Sequence, residues 1–209
     1  AYHNYLMPKP LESATLENPV KDCPNRGQVE HNQINCLDKV EAEVKAKFGS
    51  DFWITKNGYV DAKPEDLDAF NAKFAALSAE EKDAMTSLLR IGVQQDTQIT
   101  DPGKFQEGDR FVYRYLQNKE GGPITVTQTY NSAISCGYSR KTSVEQWSNI
   151  ASLVLDGTYE STLLVGALQT IRAAQVGNAA PRILLTKVGG GVFKNDAAWI
   201  KGAINRAVT

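Results

Sequence analysis

Apolar residues recur at helical spacing through much of the first half of the chain. Over residues 28–48 the apolar positions share one face of a helix, and Gly49 follows as a stop signal: Ile34, Leu37, Val44, Phe48. A second helix is predicted to open at Pro64. A third is predicted to open at Ser78, where Ser78 and Glu81 form a capping-box pattern. Residues 28–90 are therefore expected to be mostly helical.

Strand-like patterns interrupt and then replace these helices. Asn57-Gly58 separates two short β-prone runs, which predicts a hairpin with a type I′ turn. Residues 110–116 and 123–130 are rich in β-branched and aromatic side chains, and Gly121-Gly122 stands between them. Residues 182–188, RILLTKV, are almost continuously apolar, which is typical of a central strand covered on both faces.

Two more helices are predicted in the second half, over residues 144–174 and 196–208. The longer one is expected to bury one side: Trp147, Ile150, Val154, Leu164, Leu168, Ile171. Strand, long helix, buried strand and helix in this order predict an α/β domain with parallel pairing. Residues 1–27 are polar and rich in proline, so they read as an extended arm ahead of a domain at 28–209.

Composition narrows the class of protein. The chain has 209 residues, 42% hydrophobic and 22% charged, with a formal net charge of −1, as in ordinary soluble globular proteins. Neither a basic stripe nor an apolar run of about 20 residues is present, so we expect no nucleic-acid partner and no membrane span. No signal peptide is visible, which favours the cytoplasm.

Cysteine and histidine are sparse. Cys23, Cys36 and Cys136 form no CxxC pair, and the histidines, His3 and His31, both lie near the N-terminus. We therefore expect no metal site and no cofactor. Idle reduced thiols are the favoured interpretation, and a Cys23–Cys36 bridge remains an alternative.

The stretch LLTKVGGGVFKND, residues 184–196, holds the candidate chemistry. Three glycines, Gly189, Gly190 and Gly191, follow the predicted strand and precede the last helix. Without Cβ atoms their amides can curl closely around an anion such as a diphosphate, and the helix N-terminus adds a positive dipole end. The chain has no GxxxxGK[ST], so this is not a Walker loop, and GxGxxG does not fit because residue 194 is lysine. The alternative is a tight turn with positive φ angles.

Five segments together resemble a macrodomain-like ADP-ribose-binding family, in the branch near poly(ADP-ribose) glycohydrolases. LLTKVGGGVFKNDAAWI is similar to that family's final LLTLLGGGxFGNxxxWI. RIGVQQDTQITD, residues 90–101, is similar to its RIGxxWDTxVTD, and VTQTYNSAISCGYS, residues 126–139, to its VxQxxCSALPVAYS. YESTL and RGQVEHNQINCL resemble YEATL and RGQTxxxQIxxL, so the matches run in order from residue 26 to residue 204.

The resemblance implies a mixed sheet flanked by helices, with a helical part at 28–90 and a ligand-binding part at 91–209. It implies that the glycine stretch wraps the diphosphate and distal ribose of ADP-ribose: Gly189, Gly190, Gly191, Val192, Phe193. It places three residues in an acidic DTxxTD motif: Asp96, Thr97, Asp101. It places a further three on a strand end that faces the ligand: Gln128, Asn131, Ser132.

The chain also departs from the family pattern. Lys194 stands in place of a glycine, Gln95 in place of an aromatic residue, and Asn131 in place of a cysteine. The family carries a further upstream region with an NPxN-type strand, which this sequence lacks. Since the chain opens with Ala1, we expect either a fragment of a longer protein or a second chain that supplies the missing part.

The implied activity is hydrolysis of ADP-ribosyl linkages on modified proteins or in ADP-ribose polymers. Asp96 and Asp101 would place the attacking water or pair with the leaving group, with Asp109 a third candidate. Asp96 and Asp101 are five residues apart, which in a regular strand would put their side chains on opposite faces. A turn between them is therefore needed to bring both to one pocket. The alternatives are a reader that binds ADP-ribose without turnover, a structural remnant whose site is incomplete, and plain turn-capping aspartates. Asn195 is a candidate N-cap for the last helix. Tyr130 is expected to pack on the sheet, and the alternative is that Tyr130 or Tyr138 lines the site.

Overall fold

The computed structural model describes residues 35–56, 58–99, 105–108, 110–112 and 114–209. Several sequence predictions fall outside these ranges: the arm at 1–27, the first residues of the predicted 28–48 helix, Asn57, Asp101 and Asp109. Within the described residues the chain is a mixed α/β protein with five α-helices and three two-stranded sheets.

The first part of the chain is helical, as predicted, with one small hairpin. Its elements are α1 (Asp38–Phe48), β1 (Ile54–Lys56), β2 (Tyr59–Asp61), α2 (Pro64–Ala75) and α3 (Ala79–Thr86). Gly49 closes α1 with φ 78°, and β1 pairs antiparallel with β2. The capping box of α3 is confirmed, because Ser78 Oγ accepts from the Glu81 amide while the Glu81 carboxylate accepts from the Ser78 amide.

Two helices dominate the end of the chain: α4 (Ser148–Gln175) and α5 (Ala197–Val208). Short 3₁₀ turns at Cys136–Tyr138 and Glu145–Trp147 precede α4. The first half of α4 joins two apolar clusters, since Ile150 and Val154 pack in one and Leu155 and Tyr159 in the other. In the first cluster, aromatic rings surround Phe70 at centroid distances of 5.3–6.1 Å: Phe48, Phe52, Trp53, Phe74.

The remaining strands form two further antiparallel pairs. β3 (Gly92–Gln98) pairs with β6 (Thr125–Tyr130), and β4 (Phe105–Glu107) pairs with β5 (Arg110–Val112). The predicted strands near 110–116 and 123–130 are therefore present in part. The prediction of parallel pairing is wrong for the described residues, because every strand pair there is antiparallel.

Residues 182–188 do not form the predicted buried strand. They belong to no sheet, and Leu184 is 86% exposed. The run of apolar residues is present in the sequence, but among the described residues no strand pairs with it. The far half of α4 gives a related correction, because three side chains expected to be buried there are more than half exposed: Leu164, Leu168, Ile171.

The structure divides into two compact units. One comprises the described residues up to Arg90 together with Asn131–Thr209, and the other comprises Ile91–Tyr130. The proposed division into a helical part at 28–90 and a ligand-binding part at 91–209 stays a prediction. No helix among the described residues combines the length and apolarity needed to cross a bilayer.

Candidate functional site

The glycine stretch forms a compact double turn between residue 187 and α5. The Gly190 amide donates to Lys187 O at 3.3 Å, and the Lys194 amide donates to Gly191 O at 2.9 Å. Lys194 takes a left-handed conformation, with φ 56°, so it occupies a position that favours glycine. We call residues 187–194 the glycine turn.

Gly189 is the glycine that the fold requires. Its φ is 74°, and a Cβ there would lie 2.4 Å from the Ala133 Cβ and 2.7 Å from Asn195 Nδ2. At Gly190 a Cβ would meet only the flexible side chain of Lys187, and at Gly191 it would meet nothing within 4 Å. Of these three glycines, packing requires Gly189, whereas a side chain at position 191 would extend into open space above the turn.

Asn195 fastens the glycine turn to the segment after β6. Its side chain is 5% exposed, and its Nδ2 donates to Ile134 O at 2.7 Å and to Gly189 O at 3.4 Å. Its Oδ1 is buried and accepts no hydrogen bond from the described residues. The prediction that Asn195 caps the last helix is wrong, because Asp196 is the N-cap and its carboxylate accepts from the Ala198 amide at 2.6 Å.

A second contact holds the turn from the other side. The Gly137 amide donates to Phe193 O at 2.9 Å, and a Cβ at Gly137 would lie 2.7 Å from Val192 O. The Phe193 ring lies edge-on to Tyr138 at 5.2 Å and to Tyr59 at 6.3 Å, while Tyr59 and Tyr138 are 5.2 Å apart. These three rings, the aromatic trio, form an apolar wall next to the glycine turn.

The glycine turn presents unused amides. Within the described part of the chain, the amides of Gly191, Val192 and Phe193 donate no hydrogen bond. Lys187 and Lys194 flank them, and the Lys187 side chain runs beside Gly190. Exposed amides and ammonium groups together suit an anionic ligand. Asp196 opposes anion binding at the N-terminus of α5, because its carboxylate already neutralises the positive end of the helix dipole there.

Asn131 and Ser132 lie in a neighbouring cleft of about 100 Å³. The Asn131 Nδ2 donates to Thr162 Oγ1 at 3.3 Å, so its amide is held against α4. Tyr59 and Ala133 line the same cleft and also touch the glycine turn. The volume is below the ~300 Å³ of typical ligand pockets, so the cleft can admit one ring or sugar but not a whole nucleotide sugar.

Cys36 also lines this cleft. Burial raises the pKa of its thiol, and Arg90 only partly opposes that shift. A protonated thiol is a poor nucleophile, so Cys36 is unsuited to covalent catalysis. Cys36 and Cys136 are both free, so the alternative of a bridge to Cys36 is not borne out.

The acidic motif lies in the unit Ile91–Tyr130. Asp96 sits in β3 at a bulge, where the register with β6 shifts between Gln94 and Thr97. Asp96 is exposed and left-handed, with φ 53°, which is a conformation that aspartate and asparagine tolerate. The bulge lies before the interval in which a turn between Asp96 and Asp101 is needed, and within that interval Thr97 and Gln98 still belong to β3 and pair with β6.

The other two predicted site residues of this unit lie on the paired strands. Thr97 is opposite Val126, and its buried Oγ1 has no hydrogen-bond partner among the described residues. Gln128 is opposite Gln94, and both amide oxygens lie within hydrogen-bonding distance of Tyr130 Oη. The structure brings Thr97 and Gln128 onto one small sheet with Asp96.

The structure adds residues that the sequence analysis missed as parts of the site. Tyr59 carries no pattern that would single it out. Gly137 does, since a glycine within an apolar segment often marks a close backbone approach.

Comparisons of the chain with protein-family models, with curated proteins and with solved structures found no match.

Proposed function

We propose that this chain binds ADP-ribose with a macrodomain-like site, and that it hydrolyses ADP-ribosyl linkages on modified proteins or in ADP-ribose polymers. One observation carries the proposal: the amides of Gly191, Val192 and Phe193 have no internal partner and sit between two lysines. Consecutive amides of this kind match the oxygens of a diphosphate.

The surroundings of the turn support the same ligand. Lys187, whose side chain lies beside Gly190, adds positive charge next to the turn, and charge-assisted hydrogen bonds are about twice as strong as neutral ones. The Lys194 side chain lies against Gly137 instead. The aromatic trio offers ring edges and faces to a ribose or an adenine. The adjacent cleft at Asn131 and Ser132 then accommodates one further ring or sugar.

Hydrolysis needs a placed water and stabilisation of an oxocarbenium-like state at the anomeric carbon. Asp96 is the described carboxylate proposed for this step, together with Asp101. As a base, a carboxylate takes a proton from the water whose oxygen bonds to C1″. The broken bond's electron pair leaves with the released side chain, which then takes the proton from the carboxyl group and so restores the carboxylate.

The alternative is a reader that binds ADP-ribose without turnover. One observation favours it: the Asp96 side chain is exposed to solvent, whereas a hydrolase usually closes the reacting centre off from bulk water. The binding and hydrolysis halves of the proposal therefore need separate tests.

Binding is tested with Gly191→Val, measured by calorimetry with ADP-ribose. A valine there meets no protein atom at its Cβ, so the fold tolerates it while its methyl groups occupy the space above the turn. We expect affinity to fall at least about tenfold, or 1.4 kcal/mol. Gly202→Val is the matched control, because Gly202 is also unobstructed but lies in α5. Equal affinities for the two variants would reject the binding site.

Hydrolysis is tested with Asp96→Asn, measured as ADP-ribose released from an ADP-ribosylated protein. Asparagine keeps the left-handed backbone and removes the charge, so turnover is expected to drop about 100-fold or more while ADP-ribose binding is retained. Glu120→Gln, in an exposed turn of the same unit, is the control and is expected to behave as wild type. A wild-type chain that binds but never releases ADP-ribose would leave only the reader.

A further inference from the structure

The segment at residues 182–187 runs along α4 as an extended chain. Tyr159 Oη donates to Thr186 O at 2.7 Å, and a Cβ at Gly166 would lie 2.2 Å from the Ile183 Cδ1. Residues 159 and 166 are about 10 Å apart along the helix axis. Residues 186 and 183 span the same ~10 Å only if the chain between them is extended. The segment is therefore strand-like and antiparallel to α4.

Residue exposure agrees with an extended chain at three positions. Ile183 is 43% exposed, Leu184 is 86% exposed and Leu185 is 37% exposed, so the middle residue is the most open to solvent, as in a strand that lies on one face. Ile183 packs against Gly166.

The backbone of this strand-like segment is unpaired. Within the described residues, neither the amides nor the carbonyls of residues 183–185 take part in a hydrogen bond. An apolar extended chain with free donors and acceptors is the kind of edge to which another strand adds. The occupant must therefore offer backbone groups at strand spacing, which a helix or a flat apolar surface does not.

We propose that residues 182–187 are a docking edge for a β-strand of another polypeptide, one with an apolar centre and an acidic residue at the end that meets Arg182. Arg182 stands at the start of the segment and selects a carboxylate on the incoming strand, whereas the Lys187 side chain lies beside Gly190. A second copy of this chain fits worse, because antiparallel self-pairing about Leu184 and Leu185 sets Arg182 opposite Lys187. This interaction goes beyond ADP-ribose binding and does not depend on it.

The test uses the full chain and a short fluorescein-labelled peptide with alternating valine and threonine at its centre and glutamate at both ends. Fluorescence anisotropy is expected to show saturable binding, and a peptide with lysine ends is expected to bind about tenfold more weakly. Absence of binding by the glutamate-ended peptide, or equal binding of the two, would overturn the proposal.

Two proline variants test the backbone pairing directly. Proline keeps the preceding residue extended and removes one amide donor, and adjacent amides of a strand point to opposite edges. Only one of the two amides points to the docking edge, so one of the variants Leu184→Pro and Leu185→Pro is expected to lose at least about tenfold in affinity. Leu184→Ala keeps its amide and is expected to stay within about fivefold of wild type. Retained binding in both proline variants, with unchanged circular dichroism, would overturn the proposal. So would concentration-dependent self-association of the wild type that Leu184→Pro abolishes, because the occupant would then be a second copy.

Discussion

Asn195 shows how one side chain can hold a site together. It is buried, it bonds to two carbonyls on different segments, and its own carbonyl oxygen has no partner among the described residues. Such a group is expensive to bury, so its bonds to Ile134 and Gly189 must offset that cost. The position of the glycine turn therefore depends on Asn195 as much as on the glycines.

Asn195→Ala is expected to lower the free energy of unfolding by about 1–3 kcal/mol, because it leaves the buried Ile134 carbonyl with only the weak Cys136 thiol as a donor. The measurement is the urea midpoint from circular dichroism. Asn178→Ala serves as the control, since Asn178 is exposed just beyond α4. Identical midpoints for the two variants would show that the Asn195 bonds do not stabilise the fold.

The helices and hairpins show which elements are encoded locally. The Ser78–Glu81 capping box, Pro64 at a first turn and Gly49 at a C-cap each act within a few residues, so the sequence predicts them well. Residues 182–188 differ, because an apolar run becomes a buried strand only when other strands lie on its edges. The sequence does not decide between Asn195 and Asp196 as the N-cap of α5, because asparagine and aspartate are both good caps; in the structure Asp196 takes that role.

The candidate site divides in the same way. The glycines can be predicted from the sequence because a position packed closely against neighbouring atoms has no room for a side chain, and Gly189 occupies such a position. The ring contacts of Tyr59 with Tyr138 and Phe193 are not predictable from the sequence, because they join segments about 80 and about 130 residues apart, beyond the reach of any local pattern.

Within α4, Asp156 gives a pH-dependent prediction. Burial raises the pKa of its carboxyl, and the Arg206 guanidinium only partly opposes this. A raised folded pKa means that ionising Asp156 destabilises the native state. Stability is therefore lost as pH rises from the ordinary value of 3.8 through the folded pKa.

Asp156→Asn is expected to unfold at a higher temperature than wild type at neutral pH, and the difference should shrink as the pH is lowered towards 3.8. Thermal melts across this pH range measure it. Glu120→Gln is the control, since Glu120 is exposed and lies outside α4, so its loss is expected to give no gain in stability. A neutral-pH melting temperature no higher than that of wild type would contradict the prediction.

At the scale of the whole chain, protection is unevenly distributed. The first half of α4 is buried between two apolar clusters, while residues 183–185 have no hydrogen bonds within the described residues. Amide exchange depends on opening such bonds, so the two regions should differ by orders of magnitude in rate.

Hydrogen–deuterium exchange with mass spectrometry measures this contrast. Peptides covering residues 183–185 are expected to exchange as fast as an unfolded reference, and peptides covering residues 150–160 to exchange slowest. Slow exchange at residues 183–185 in the isolated chain would mean that those amides are already paired.

The aromatic trio has a practical consequence. Tyr59, Tyr138 and Phe193 lie within 6.3 Å of one another and belong to three separate segments, one of them the glycine turn. Chiral coupling between such fixed rings produces ellipticity in the near ultraviolet. The rings packed around Phe70 contribute to the same signal, so the ellipticity lost in Tyr138→Leu relative to wild type is the part that reports whether this corner is assembled, and it can be followed during titration or heating.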